Sequence, residues 1–213
     1  MRTGTPLRLA VYHADAARPP AALALRKIAG RLKRQPLKAP KGHLTRPTTD
    51  RTRESIFGLV ESRIALAQAD VLDLFAGTGA LGLEAISRGA DAVTFVEKNS
   101  RVLKVARENA EALGVKDHGW FLRGDAVSYL DRYSGPPYDL IFADPPYDLD
   151  GLERLPARAL PHLKPGGLFV LEHDVRHDFS AHPALDTSRP YGRTTVSVFR
   201  RGEEGRVEGE EAA

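Results

Sequence analysis

Short apolar runs recur along most of the chain and alternate with amphipathic stretches. The apolar runs predict strands, and they cover residues 71–75, 92–96, 120–122, 138–143, 167–171 and 194–199. Apolar positions at helical spacing predict helices over 50–66, 80–88 and 100–113. Short apolar runs separated by amphipathic helices are typical of a parallel sheet that is covered on both faces. The last run alternates β-branched residues, which predicts an antiparallel edge strand.

The same pattern divides the chain into four segments. We expect a flexible extension over 1–23, a small basic β element over 24–48, an α/β domain over 49–201, and a disordered acidic tail over 202–213. A length of 213 residues suits one domain with a small appendage. The predicted fold class is therefore α/β, with a mostly parallel doubly wound sheet and an antiparallel last strand.

Composition narrows the chemistry that is available. The chain has no cysteine, which excludes disulfides, zinc–thiolate sites, iron–sulfur clusters and a cysteine nucleophile. Its residues are 28% charged, and no run approaches the roughly 18 apolar residues of a membrane span. Asp15, Arg18 and Pro19 interrupt any apolar core of a signal peptide. We expect a soluble, cytoplasmic protein without a membrane partner.

The formal net charge of +3 conceals an uneven distribution. Residues 26–53 contain ten basic side chains against Asp50 alone, a local charge of +9. Residues 202–213 carry −4. A basic cluster of this kind suits the phosphates of a nucleic acid, although a charge run by itself is as often a solvated surface.

A glycine-rich turn follows the first strong strand and opens a helix. Gly77, Gly79 and Gly82 have the spacing of the dinucleotide fingerprint, and Glu97 stands where a ribose-binding acid belongs. Asp73 favours a different cofactor, since a carboxylate there would repel a pyrophosphate but accept hydrogen bonds from an ammonium group. S-adenosylmethionine (SAM) has an ammonium group and no phosphate. A nicotinamide cofactor, or a turn with no ligand, remains an alternative at this point.

Asp73 lies in the first predicted strand, Glu97 directly follows the second, and Asp125 follows the third. Ligands of open α/β sheets bind at the carboxyl ends of the strands. The three acids therefore predict one ligand crevice, although Asp125 alone is equally well explained as a helix N-cap.

The fourth strand runs directly into Asp144, Pro145, Pro146 and Tyr147. Two consecutive prolines remove backbone donors and make the turn rigid, so its carbonyl oxygens can face a ligand. The Asp144 carboxylate and the Pro145 carbonyl could each accept a hydrogen bond from an N–H of an exocyclic amine on a nucleobase. These bonds would free the nitrogen lone pair for in-line attack on the SAM methyl group. Tyr147 would stack on the base. This chemistry needs no metal, and His162, His173 and His177 lack metal-ligand spacing.

Four motifs together resemble the RsmD-type methyltransferases of bacteria, over residues 25–201. These motifs are Arg46–Phe57, Asp73–Ala85, Asp144–Tyr147 and Tyr191–Thr195. Members of that family use SAM to methylate the N2 amino group of a guanine in small-subunit (16S) ribosomal RNA. The resemblance implies a Rossmann-like class I SAM-dependent methyltransferase fold, with ribosomal RNA or the small ribosomal subunit as partner. A monomer is favoured.

The resemblance assigns roles to residues of this chain. The predicted catalytic residues are Asp144, Pro145, Pro146 and Tyr147. The predicted cofactor contacts are Asp73, Phe75, Gly77, Thr78, Gly79, Glu97, Lys98, Asp125 and Ala126. The predicted RNA contacts are Arg31, Lys33, Arg34, Lys38, Arg46, Arg51 and Arg53.

Three alternative functions stay open on the sequence alone. An amino-methyltransferase of DNA adenine or cytosine would use the Asp144–Tyr147 motif equally well. A nicotinamide-dependent oxidoreductase would use the glycine turn. A non-catalytic RNA-binding assembly factor would use only the basic segment.

Overall fold

A computed structural model describes residues 50–203 of the chain. The predicted segments 1–23 and 24–48 and most of the predicted tail lie outside the described residues. So do five of the predicted RNA contacts, Arg31, Lys33, Arg34, Lys38 and Arg46. Arg51 lies in the first turn of a helix, but its side chain is also outside the described part.

Residues 50–203 form a seven-stranded sheet with helices on both faces. The strands are β1 (Asp70–Leu74), β2 (Ala92–Glu97), β3 (Gly119–Arg123), β4 (Tyr138–Ala143), β5 (Leu163–Asp174), β6 (Leu185–Tyr191) and β7 (Thr194–Arg200). The helices are α1 (Asp50–Glu61), α2 (Ala80–Ser87), α3 (Ser100–Ala112), α4 (Ala126–Arg132) and α5 (Leu155–Ala159), with short 3-10 helices at Lys116–His118, Leu152–Arg154 and Leu160–His162.

The strand order is β3-β2-β1-β4-β5-β7-β6. The first five strands of this order are parallel, and β7 pairs antiparallel with both β5 and β6. This arrangement confirms the predicted mostly parallel α/β sheet with an antiparallel last strand.

The prediction for β7 was wrong in one respect, because this strand is not at the edge of the sheet. It lies between β5 and β6, and its residues Val196, Val198 and Phe199 are fully buried. The edge strand on this side of the sheet is β6, which the sequence pattern did not predict. Polar and exposed positions dominate β6, and Pro190 within it is compatible with an edge strand because proline donates no ladder hydrogen bond.

The core lies in two layers, one on each face of the sheet. Along β1, Val71 packs into the layer under α1 and α2, whereas Leu72 and Leu74 pack into the layer that α4 and α5 cover. Because both faces are buried, the parallel strands are almost continuously apolar, which explains why their runs were visible in the sequence.

Helix α2 lies unusually close to β2. A Cβ atom on Gly82 would lie 2.3 Å from a ring carbon of Phe95 and 2.8 Å from a methyl group of Val93. Only glycine fits at this contact, so the third glycine of the turn serves helix–strand packing. This packing fixes the start of α2 and the turn that precedes it.

Polar contacts join the amino ends of the three central strands. The Lys164 ammonium lies 2.7 Å from Asp139 Oδ2 and 3.3 Å from Asp70 Oδ2. The same Asp139 oxygen accepts a hydrogen bond from the Asp70 amide at 2.8 Å. We call these three residues the amino-end cluster, which lies at the opposite end of the strands from the crevice described next.

Candidate active site

The predicted site residues meet at the carboxyl edge of the sheet. Strands β2 and β4 pair with opposite sides of β1, and the register aligns Leu74 with both Val96 and Ala143. Glu97 ends β2, and Asp144 directly follows β4. The strand order reverses between β1 and β4, which is where open α/β sheets form their ligand crevice. The carboxylates and the Asp144–Tyr147 turn therefore line the same crevice.

The turn after β1 has left-handed backbone conformations at Phe75 (φ 55°), Gly77 (φ 56°) and Gly79 (φ 82°). This conformation is uncommon for a phenylalanine and is often found at functional sites. A Cβ on Gly77 would meet only the Phe75 carbonyl oxygen, at 3.8 Å. The backbone at Gly77 therefore has open space beside it for a ligand, in contrast to Gly82.

Glu97 connects the glycine turn to the end of β2. Its Oε2 accepts a hydrogen bond from the Gly77 amide at 3.0 Å, and its Oε1 accepts one from the Asn99 amide at 2.7 Å. Each carboxylate oxygen has a second lone pair, so these contacts leave acceptor capacity for two hydroxyl groups. The protein thus fixes the Glu97 carboxylate in a position that suits a ribose.

Asp73 is only 2% exposed, and its Oδ2 accepts a hydrogen bond from the Gly82 amide at 2.9 Å. Burial raises its pKa well above the ordinary range, the Gly82 hydrogen bond opposes this shift, and the negative charges of Asp144 and Glu97 raise the pKa further. The proximity of Asp144 and Glu97 to Asp73 favours a cation in the crevice over a phosphate.

Asp125 caps the helix that follows β3. Its Oδ1 accepts a hydrogen bond from the Ser128 amide at 2.9 Å, and this bond is the main cause of its lowered pKa. Lys98 lies 3.8 Å from the other carboxylate oxygen and is 82% exposed. The N-cap alternative for Asp125 is therefore confirmed, and the cap places the carboxylate beside Ala126 at the carboxyl edge.

Thr78 contributes its backbone to the turn. Its carbonyl oxygen accepts a hydrogen bond from Asn109 Nδ2 of α3 at 3.0 Å. The turn is thereby attached to a helix on the same face of the sheet as α2.

The Asp144–Tyr147 turn changes from buried to exposed along its length. Pro145 is buried, Asp144 is half-buried, and Tyr147 is 39% exposed. The Leu149 amide donates to the Pro146 carbonyl at 3.0 Å, which closes a turn of residues 146–149 around Tyr147. Tyr147 is therefore partly accessible to a ligand.

The sequence analysis did not identify the partners of Tyr147. Its hydroxyl lies 3.3 Å from Thr194 Oγ1, and its carbonyl accepts a hydrogen bond from Arg176 Nη2 at 3.2 Å. Thr194 belongs to the Tyr191–Thr195 motif of the sequence analysis, which was the available signal that it lies near the site. Nothing in the sequence pattern marked Arg176.

Arg53, a predicted RNA contact, lies beside an acid of the neighbouring helix. Its side chain is 17% exposed, and its Nε lies 3.7 Å from Glu84 Oε2, which is itself 8% exposed. Glu84 also accepts a hydrogen bond from Arg88 Nε at 2.7 Å. Arg53 therefore contributes to the packing of α1 against α2, and its contact with RNA stays a prediction.

Two further features concern residues 50–203 as a whole. No helix in this range is long and apolar enough to cross a membrane. No group of three or more His, Cys, Asp or Glu side chains in the same range could hold a metal ion.

The strand order and the carboxyl-edge crevice define a Rossmann-like fold of the SAM-dependent methyltransferase class. An RNA methyltransferase from Salinibacter ruber in complex with S-adenosyl-L-homocysteine has the same fold, with a TM-score of 0.58 at 20% identity over 78% of this chain and 99% of that chain. A hypothetical protein of Thermus thermophilus is more similar, with a TM-score of 0.67 at 28% identity over 78% of this chain and 92% of that chain.

Residues 25–200 match the family described as conserved hypothetical protein 95, and the chain belongs to this family, the RsmD family. "Ribosomal RNA small subunit methyltransferase D" of Escherichia coli K12 is 31% identical over 85% of this chain and 92% of that protein. The resemblance drawn from the four sequence motifs is thereby confirmed.

Proposed function

We propose that this chain transfers a methyl group from SAM to the N2 amino group of a guanine in small-subunit ribosomal RNA. The observation that carries the proposal is the meeting of acidic strand ends with the Asp144–Tyr147 turn in one crevice. The name of the Escherichia coli relative supports small-subunit ribosomal RNA as the substrate class.

The charge of the crevice supports SAM as the cofactor. SAM carries a sulfonium and an ammonium group, whereas a nicotinamide dinucleotide carries a pyrophosphate. Asp144 and Glu97 are each close enough to Asp73 to influence its ionisation. Such a crevice attracts a cation and repels a pyrophosphate. We therefore assign the ammonium group to Asp73 and the ribose hydroxyls to Glu97.

The residues of the turn after β4 suit an exocyclic amine. SAM, when bound, supplies an electrophilic methyl group on a positively charged sulfur. The Asp144 carboxylate and the Pro145 carbonyl each accept a hydrogen bond from one N–H of the amine. These two bonds orient the nitrogen lone pair toward the cofactor. The ring of Tyr147 stacks on one face of the base. Positioning and fixed dipoles provide the acceleration, and Asp144 can accept the proton that the amine loses.

Methyl transfer from tritium-labelled SAM tests the proposal directly. The substrates are small-subunit particles, deproteinised small-subunit ribosomal RNA and duplex DNA, followed by mass spectrometry of the labelled nucleoside. We expect N2-methylguanosine from one of the two RNA substrates. Label in DNA adenine or cytosine would identify a DNA methyltransferase instead, and the absence of label from all three substrates would refute the proposal.

Asp144→Ala separates chemistry from cofactor binding. We expect the transfer rate to fall by at least about 100-fold, in the range seen when a preorganised polar group is removed from an active site. SAM affinity measured by calorimetry should remain close to that of the wild type. Asp148→Ala is the matched control, since this exposed carboxylate lies four residues later in the same loop.

The basic segment supplies a second proposed interface. We assign Arg31, Lys33 and Arg34, together with the neighbouring basic residues of 24–48, to the RNA phosphates, because clustered cations bind phosphates without reading sequence. Neutralising these three residues should weaken RNA binding and flatten its salt dependence while SAM affinity stays unchanged. A collapse of SAM affinity would instead assign the segment to the cofactor site or to the fold.

The cytoplasmic location expected from composition stays a prediction.

A further inference from the structure

Tyr147 is attached to the rest of the protein at two separate atoms. Its hydroxyl lies 3.3 Å from Thr194 Oγ1, and its carbonyl accepts from Arg176 Nη2 at 3.2 Å. Tyr147 as a whole residue is 39% exposed, whereas Thr194 is 3% exposed. The contacts therefore join a partly exposed aromatic residue to a buried part of the sheet.

The position of Thr194 is fixed by the sheet itself. Thr194 is the first residue of β7 and pairs with Asp174 of β5 on one side and with Tyr191 of β6 on the other. A two-residue turn of Gly192 (φ 65°) and Arg193 connects β6 to β7, and a left-handed residue is what tight hairpin turns require. The hairpin formed by the Tyr191–Thr195 motif therefore places the Thr194 hydroxyl beside the Tyr147 hydroxyl.

The position of Arg176 is fixed by the end of β5. Asp174 Oδ1 accepts a hydrogen bond from the Arg176 amide at 2.8 Å, and Asp174 Oδ2 accepts one from Arg176 Nε at 2.8 Å. Arg176 Nη2 also contacts Asp174 Oδ2. The guanidinium is thereby held where Nη2 reaches the Tyr147 carbonyl.

We infer that Thr194 and Arg176 are positioning residues that orient the Tyr147 ring against the target base. The inference rests on the proposed function, since it concerns the same crevice. A partly exposed side chain loses rotational freedom when it stacks on a ligand. Contacts that hold the ring in place beforehand reduce this loss and align the base with the reacting groups. Neither residue needs to touch the RNA for this role.

Three variants test the hydroxyl contact: Thr194→Val, Tyr147→Phe and the double variant. Each single variant removes one partner of the same hydrogen bond, so we expect kcat to fall roughly 3- to 10-fold in each. The double variant should be no slower than the slower single variant, because the bond is already lost. KM for RNA should rise by a smaller factor than kcat falls, because the proposed phosphate contacts are retained, and the affinity for SAM should remain unchanged.

Two further variants act as controls. Thr194→Ser keeps the hydroxyl and should retain most of the wild-type kcat. Thr195→Val removes the neighbouring hydroxyl of the same strand and should leave kcat unchanged. Thermal melting of each variant shows whether the fold is intact, and Tyr147→Phe alters an exposed residue outside the core, so it remains informative if Thr194→Val unfolds.

Arg176→Gln tests the second contact. Because Arg176 and Thr194 hold different atoms of Tyr147, the losses of Arg176→Gln and Thr194→Val should add on a logarithmic scale. Arg154→Gln is the matched control, since this arginine is also exposed and pairs with a neighbouring acid, Glu153.

The outcomes distinguish this inference from the proposed function. A wild-type protein that methylates none of the substrates overturns both. An active wild type whose kcat is unchanged by Thr194→Val and Tyr147→Phe overturns the inference alone. Additive losses from these two substitutions would also overturn it, because they would show that the two hydroxyls act separately.

Discussion

The two halves of the crevice are built in different ways. The proposed cofactor half lies at the ends of β1, β2 and β3, and its contacts join the glycine turn to nearby carboxylates, as in the bonds of Gly77 to Glu97 and Gly82 to Asp73. The proposed base half lies at the end of β4, where Tyr147 contacts Thr194, 47 residues later in the chain. A compact motif thus forms the cofactor half, whereas long-range strand pairing completes the base half.

Burial differs in the same way. Asp73 is 2% exposed and packed against the start of α2, whereas Tyr147 is 39% exposed. We therefore expect the cofactor half to be sensitive to changes of volume in the packing beneath it. The base half should be sensitive to the loss of single polar contacts.

The largest effect expected from this comparison concerns Gly82. A methyl group there would overlap the Phe95 ring, so Gly82→Ala should lower the free energy of unfolding by about 3 kcal/mol, the upper part of the usual range for overpacking. Denaturant unfolding measures this change.

Gly58→Ala is the matched control for Gly82→Ala. Gly58 lies in α1, and a Cβ there would meet nothing within 4 Å. This substitution should raise the free energy of unfolding by roughly 0.4–1 kcal/mol, because alanine favours the helix. Equal effects of the two substitutions would show that close packing does not support the cofactor half.

Asp73→Asn should weaken SAM binding roughly 10-fold, as expected for the loss of a hydrogen bond to a charged group. Asparagine keeps an acceptor for the Gly82 amide, so the turn should stay intact. Calorimetry measures the affinity, and the exposed control Asp148→Asn should leave it unchanged. An unaltered affinity in Asp73→Asn would remove Asp73 from the ammonium site.

The same substitution should alter the pH dependence of stability. The pKa of Asp73 is raised in the folded state, so its ionisation opposes folding from about the ordinary value of 3.8 upward, and the full penalty is reached above the raised pKa. Asparagine does not ionise. The melting temperature of Asp73→Asn relative to wild type should therefore rise with pH across this window and then level off, and a constant difference would contradict the assigned pKa shift.

The smallest effect is expected for Lys164→Met in the amino-end cluster. Its ion pairs with Asp70 and Asp139 are partly exposed, so their loss should change the free energy of unfolding by less than about 1 kcal/mol. SAM affinity and methyl transfer should remain at wild-type levels. A loss of either would show that the crevice depends on more than its carboxyl edge.

Much of the cofactor half could be predicted from the sequence because its signals are local. Glycine spacing, buried apolar runs and an acid at each strand end are all readable within short windows, as the placement of Glu97 shows. The sequence also predicted the Asp144–Tyr147 turn, since two prolines after an apolar run leave few conformations.

The base half was only partly predictable because its contacts are distant in the chain. The pairing of Thr194 with Asp174 follows from β7 lying inside the sheet, and alternation within β7 did not reveal which strands flank it. The polar pattern of β6 hid the strand at the edge. The proximity of Arg53 to Glu84 was not predicted, because a charge count does not distinguish a cation facing solvent from one beside a buried acid.

The inner position of β7 has a consequence for folding during synthesis. Strands β1 to β4 and the Asp144–Tyr147 turn leave the ribosome before β7. Until β7 has been synthesised, β5 lacks its antiparallel neighbour and Tyr147 lacks the Thr194 hydroxyl. Because a domain generally folds as a unit, the sheet and the Tyr147 contact are completed only when this last strand is available.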